Sequence, residues 1–188
     1  MRKASSAAVV AMVLLTLSSC IKGKVCQEYR HIDDNEWTRS DTVVFSVGKV
    51  KTDALCQMET GIRLTTDYPY SNLSVTATTI LIPDTAGVAD SLKRNTQTFR
   101  DTILITPYNE EGDVNGSGIR NYQLTTPFRK IQLHQGDSLH ITLRHNMRLN
   151  ILPGVNDVGM IITEESKVVK PLKQQIKDNG KRLKIDKK

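Results

Sequence analysis

Apolar and polar residues alternate with a period of two through most of this chain. Met58, Thr60, Ile62 and Leu64 interleave with Glu59, Gly61, Arg63 and Thr65. Leu73, Val75, Ala77, Thr79 and Leu81 interleave with Ser74, Thr76, Thr78 and Ile80, and Leu139, Ile141 and Leu143 with His140, Thr142 and Arg144. This spacing puts one row of side chains in a core and the next in water, the mark of half-buried strands. The β-branched run over 42–47 predicts another strand. Segments 99–105, 119–125 and 131–133, and the set Val158, Met160 and Ile162, predict the rest. Turn formers separate the runs: Asp67 to Asn72, Pro83 to Gly87, and the Gly- and Asn-rich stretch 107–118. Gln135-Gly136-Asp137 is short enough to close a hairpin. About eight strands, with no helical period before residue 165, predict an all-β antiparallel β-sandwich, and jelly-roll and immunoglobulin-like connectivities both fit that count.

The N-terminus breaks the pattern. Met1-Arg2-Lys3 precedes an apolar stretch from Ala7 to Leu17, then Ser18-Ser19-Cys20. A basic start, a short apolar segment and small residues before a cleavage point read as an export signal. With cysteine next, the stretch resembles a bacterial lipobox. Residues 1–19 are then a lipoprotein signal peptide, and Cys20 is the acylated first residue of the mature protein. The apolar run is about half a membrane span, and two or more acyl chains anchor stably. Membrane contact through N-terminal acyl chains is therefore the first expected partnership.

Residues 20–40 read as a lipidated tether and polar lead-in, 41–165 as the β-sandwich domain, and 166–188 as a basic tail. The tail is expected to be solvated or a short helix opened by Pro171. Residues 167–188 hold nine Lys/Arg against Asp178 and Asp186, whereas 21–166 hold 15 Lys/Arg against 18 Asp/Glu. The net charge of +6 thus belongs to the tail. A nucleic-acid binder spreads positive charge over its folded surface, so nucleic acid is excluded as a partner. Contact of the tail with anionic headgroups is worth about 1 kcal/mol per Lys/Arg.

Several segments together resemble the gliding-motility lipoprotein GldH family of Bacteroidota. They are Tyr68-Pro69-Tyr70-Ser71-Asn72-Leu73, the stretch from Ile119 to Thr126-Pro127-Phe128, and His145 through Met147-Arg148 to Leu152-Pro153-Gly154-Val155-Asn156-Asp157-Val158-Gly159-Met160. Trp37, Asp41 and Phe45 match the family's opening. The resemblance spans roughly residues 26–163. It implies a lipid-anchored envelope protein associated with gliding motility and the type IX secretion apparatus, with no catalytic residues to carry over. The Gly-rich segment 113–118 and the basic tail depart from the family pattern. Acidic residues just after the acylated cysteine are implied to direct surface exposure in this phylum. Here the residues are Ile21-Lys22-Gly23-Lys24, so the expected location is the periplasmic side, on the outer membrane in preference to the inner.

Candidate chemistry is sparse. Cys26 and Cys56 are a candidate disulfide, permitted by export, with two free thiols as the alternative. His140 and His145 fall on opposite faces of one strand, and His134 and His140 would meet only as exposed neighbours across a hairpin. No metal set or cofactor is therefore expected. Gly116-Ser117-Gly118 sits in a polar turn, not in the strand-to-helix elbow of a serine nucleophile. The expected function is a non-enzymatic scaffold or assembly factor with envelope protein partners. Its candidate contact loops are Tyr68, Pro69 and Tyr70, with Leu152, Pro153 and Val155. A glycan-binding lipoprotein is the alternative, with glycan as a possible ligand.

Overall fold

The computed structural model describes residues 23–87, 89 and 93–166. Cys20, the signal peptide and the tail lie outside the described residues. The strands are β1 (Lys24–His31), β2 (Glu36–Thr38), β3 (Val43–Val47), β4 (Ala54–Thr65), β5 (Leu73–Ile82), β6 (Gln97–Ile105), β7 (Asn121–Leu133), β8 (Ser138–His145), β9 (Ile151–Pro153) and β10 (Val155–Ser166). A single 3-10 turn, Asp33–Asn35, separates β1 from β2.

Pairing is nested. β5 pairs β6, β4 pairs β7, β3 pairs β8, β2 pairs β9 and β1 pairs β10, all antiparallel. The chain is therefore one long ribbon doubled back at the β5–β6 connection. Cross-pairs β10–β4 and β8–β5 weld it into two four-stranded sheets, β1-β10-β4-β7 and β3-β8-β5-β6, with β2-β9 as a short third ribbon. This order is that of a jelly roll, and it settles the open choice against immunoglobulin-like connectivity. Both sheets feed one core, in which Phe45, Leu73, Val75, Ile141 and Leu143 of one sheet join Cys56, Met58, Ile62, Met160 and Ile162 of the other.

Burial follows the alternation. β3 is buried at Val43, Phe45 and Val47, and β5 at every second residue from Leu73 to Leu81. Three expectations change. First, segment 24–38, expected within a tether, contains β1 and β2. β1 has few large apolar residues because it is an edge strand paired only with β10. Second, segments 119–125 and 131–133 join as the single strand β7. Pro127 and Phe128 interrupt the apolar pattern, but the register shifts there against Met58 and Glu59. A bulge on an edge strand tolerates the missing proline N–H. Third, Gln135-Gly136-Asp137 does not close a hairpin. β7 and β8 belong to different sheets, and the turn carries the chain between them with Gly136 at φ +88°.

Candidate functional site

The body has two ends. The chain enters at Lys24, and Cys56, Leu133, Val47, Ser138 and Glu164 share that end through the registers. The opposite, distal end gathers β2, β9 and the loops over 66–72, 106–120 and 146–150.

The distal end brings the two sequence-singled loops together. A Cβ built on Gly154, at φ +81°, would lie 2.8 Å from Tyr68 Cα. Only glycine permits that backbone angle and that approach. The Thr65 N–H donates to Gly154 O at 2.9 Å, the Tyr68 hydroxyl to Asn72 O at 2.8 Å, and the Tyr108 hydroxyl to Tyr68 O at 2.8 Å. Tyr70 stands edge-on to Tyr68, ring centroids 5.6 Å apart. Burial pushes the Tyr68 phenol well above its ordinary value.

These loops are not the exposed contact surface expected of them. Tyr68, Leu152 and Val155 are buried, Tyr70 is half-buried, and only Pro69 and Pro153 are exposed. Gly154 turns its loop inward, and the side chains of Tyr68, Leu152 and Val155 cap the core. Trp37, facing Leu152 across β2–β9, is fully buried and stands edge-on to His145 at 5.4 Å. The Trp37 indole donates to Asp41 O at 3.3 Å. Among the described residues neither ring nitrogen of His145 makes a well-formed hydrogen bond, although the Trp37 backbone lies near enough to favour the protonated ring weakly. Burial is the main cause holding this imidazole below the ordinary histidine value of 6.5.

The exposed distal surface is mostly polar, with Asp67, Glu110, Glu111, Asp113 and Arg120 in its loops, but three large apolar side chains stand out among them. Ile119 is 93% exposed, Leu104 65% and Ile151 50%. They sit singly in polar sequence, outside any alternation that separates a contact residue from an outward strand position. Only their shared end, set by the pairing, groups them.

The entry end is organised by charge. Asp137, fully buried, accepts from both Arg94 Nη atoms, from the His134 N–H at 2.9 Å and from the Asp84 N–H at 3.4 Å. Burial alone would raise its carboxyl; Arg94 and the two backbone donors outweigh burial and hold it below the ordinary value. Lys49 pairs with Asp84 at 3.0 Å, and the Gln135 N–H donates to Asp53 at 2.7 Å.

The candidate disulfide is not formed: Cys26 and Cys56 are free thiols. β10 lies between their strands, and two strand spacings of about 4.8 Å put their Cα atoms beyond disulfide reach. Burial raises both thiols, Cys56 to about 11, so neither is an activated nucleophile. His134 and His140 are not neighbours across a hairpin. His134 faces Asp53 at 3.5 Å, while His140 lies in the other sheet beside Ser46. Among the described residues, no group of three His, Cys, Asp or Glu side chains could hold a metal ion.

Fold and site together define an all-β antiparallel body with an aromatic-capped end and a charged end. The family model for the GldH lipoprotein matches residues 24–162, and the chain belongs to that family. It is therefore a membrane-anchored lipoprotein of the cell envelope, and no described helix is long and apolar enough to cross a membrane. The gliding motility lipoprotein GldH homolog of Christiangramia forsetii is 24% identical over 169 residues, covering 86% of this chain and 97% of the relative. Among solved structures, a CocE/NonD family hydrolase from Staphylococcus aureus aligns at TM-score 0.35 and 11% identity, over 77% of this chain and 32% of its own. The Eiger TNF of S. frugiperda aligns at TM-score 0.27 and 9% identity, over 80% of this chain and 98% of its own.

Proposed function

We propose that this chain is a non-enzymatic scaffold or assembly factor of the gliding-motility or type IX secretion apparatus. Acyl chains on Cys20 hold it to the membrane on the periplasmic side. Of its three cysteines, Cys26 and Cys56 sit inside strands of the folded body, which supports Cys20 as the acylated residue. Three residues lie between Cys20 and Lys24, a reach of at most about 14 Å. The entry end is then kept close to the bilayer. β4 alone spans about 40 Å, so the distal end stands well clear of the lipid.

The observation that carries the reading is the gathering of Leu104, Ile119 and Ile151 at that far end. Large exposed apolar side chains away from the membrane fit a protein contact, and anchoring raises effective concentration so that weak contacts suffice. Photo-crosslinkers placed at residues 119, 151 and 51 in the full-length protein in cells test it. Positions 119 and 151 are expected to capture an envelope protein and position 51 lipid. Captured protein should fall with Ile119→Asp or Ile151→Asp. Protein capture from position 51 alone would overturn the reading, and so would labelled palmitate entering a Cys20→Ala variant as well as the native chain.

A further inference from the structure

The outer face of the second sheet carries a groove that the anchor does not use and that reaches the distal loop at Asn146. Pairing sets Thr142, Thr78 and Arg100 in one row across β8, β5 and β6, and Arg144, Thr76 and Thr102 in the next. With Thr42 and Asn146 they line a groove of about 320 Å³. Its lining holds no carboxylate, no aromatic ring and no aliphatic side chain. None of the eight side chains makes a hydrogen bond or ion pair among the described residues.

Threonine is ordinary on a solvated strand face, so the hydroxyls alone identify nothing. The two guanidiniums identify more. Elsewhere on the body Arg30, Arg63, Arg94 and Arg129 each meet a carboxylate. Arg39, Arg120 and Arg148, which meet none among the described residues, lie outside this groove, so it is the sharing of one groove that sets Arg100 and Arg144 apart. Here two arginines share one groove with no countercharge. They lie two strand spacings and one two-residue step apart, about 12 Å between Cα atoms, and so reach the groove's middle from opposite sides. A bound anion relieves their mutual repulsion and meets planar, two-pronged donors. Around it, five threonine hydroxyls and one amide donate and accept. A peptide would gain main-chain pairing only at a sheet edge, but this groove crosses β8 and β5, interior strands whose backbone groups are already paired. Its ligand must be recognised side chain by side chain, as a hydroxyl-rich molecule is.

We propose that this groove binds an acidic oligosaccharide, with Arg100 and Arg144 on its acid groups and Thr76, Thr78, Thr102 and Thr142 on its hydroxyls. The site does not rest on the partner reading above. The test titrates the full-length chain, in non-ionic detergent, with a panel of uronate-bearing, sulfated and phosphorylated oligosaccharides, their neutral counterparts and inorganic phosphate. At least one acidic oligosaccharide should bind, and its neutral counterpart should not. Arg100→Gln and Arg144→Gln should each weaken binding about tenfold with unchanged thermal midpoints. Thr78→Val with Thr142→Val should weaken the oligosaccharide while leaving phosphate unaffected. Binding by no acidic oligosaccharide overturns the proposal. Binding that survives Arg100→Gln with Arg144→Gln also overturns it, because the basic tail is then the receptor. Inorganic phosphate binding as tightly as the sugar overturns it too, as an anion contact only.

Discussion

The two ends of this protein are closed by opposite kinds of chemistry. At the distal end an indole, a phenol and an imidazole are packed out of water over Leu152 and Val155. At the entry end one buried carboxylate gathers Arg94 and two backbone N–H groups, with Lys49, Asp84 and Asp53 around it. In the orientation proposed above, the charged end would stay hydrated beside the bilayer, and the far end would offer Leu104, Ile119 and Ile151 to a protein. If this contrast is right, the ends respond to different perturbations.

The largest expected effect is at the distal end. Trp37→Ala empties a fully buried site and should cost about 3–5 kcal/mol, read as a lower denaturant midpoint. Arg94→Leu at the entry end should cost about 2–3 kcal/mol at pH 7, because it leaves Asp137 buried without its cation; a partly solvated guanidinium keeps the figure at the low end. High salt should weaken the native protein only modestly at the entry end, since this pair is largely buried. A salt titration that abolishes the Arg94→Leu difference would make the hub a surface feature and erase the contrast.

The flank between the ends supplies a reference. Tyr29 lies across Gly61 and Gly159, which face one another in β4 and β10, and Arg63 stacks on its ring at 4.2 Å. A Cβ on Gly61 would meet Tyr29 Cζ at 2.8 Å. Gly61→Ala should cost about 1–2 kcal/mol by displacing the ring. In a Tyr29→Leu background the same change should cost nothing or stabilise by a few tenths of a kcal/mol, since alanine suits a strand better than glycine. Coupling of this pair to Trp37→Ala beyond about 0.5 kcal/mol would mean that the ends and the flank are not separate units.

The strand faces were legible because alternation is a local signal, and Leu73 to Leu81 shows it without interruption. The nesting was not, because nothing local says that β1 pairs with β10 across most of the chain's length. The same gap hid the edge strand Lys24–His31, whose polar residues read as a tether until a partner is known. Tyr68, Leu152 and Val155 looked exposed because prolines and a glycine mark turns, and a turn that folds inward has the same letters as one that projects. Gly61 and Gly159, inside otherwise regular strands, were the available sign that a bulky side chain lies close to the backbone. The Arg100–Arg144 groove required register, since those residues are more than forty positions apart.

Acid should take the two ends apart in sequence. His145 is held neutral in the folded state, with its pKa below 6.5. The unfolded chain therefore binds more protons as pH falls below about 6.5, and stability declines from there until the folded imidazole itself titrates. Asp137 is also held low, but from an ordinary carboxyl value of 3.8, so its contribution is complete above about pH 4 and is lost only as pH falls through its depressed folded value. His145→Leu should change stability at pH 7 by no more than about 1 kcal/mol, because two unpartnered buried nitrogens leave with the ring. It should flatten the midpoint between pH 5 and 6.5 while leaving the drop below pH 4 intact. Denaturant midpoints of the native chain and this variant across pH 3 to 8 measure both windows. A slope between pH 5 and 6.5 that persists in His145→Leu would place the proton elsewhere and overturn this assignment.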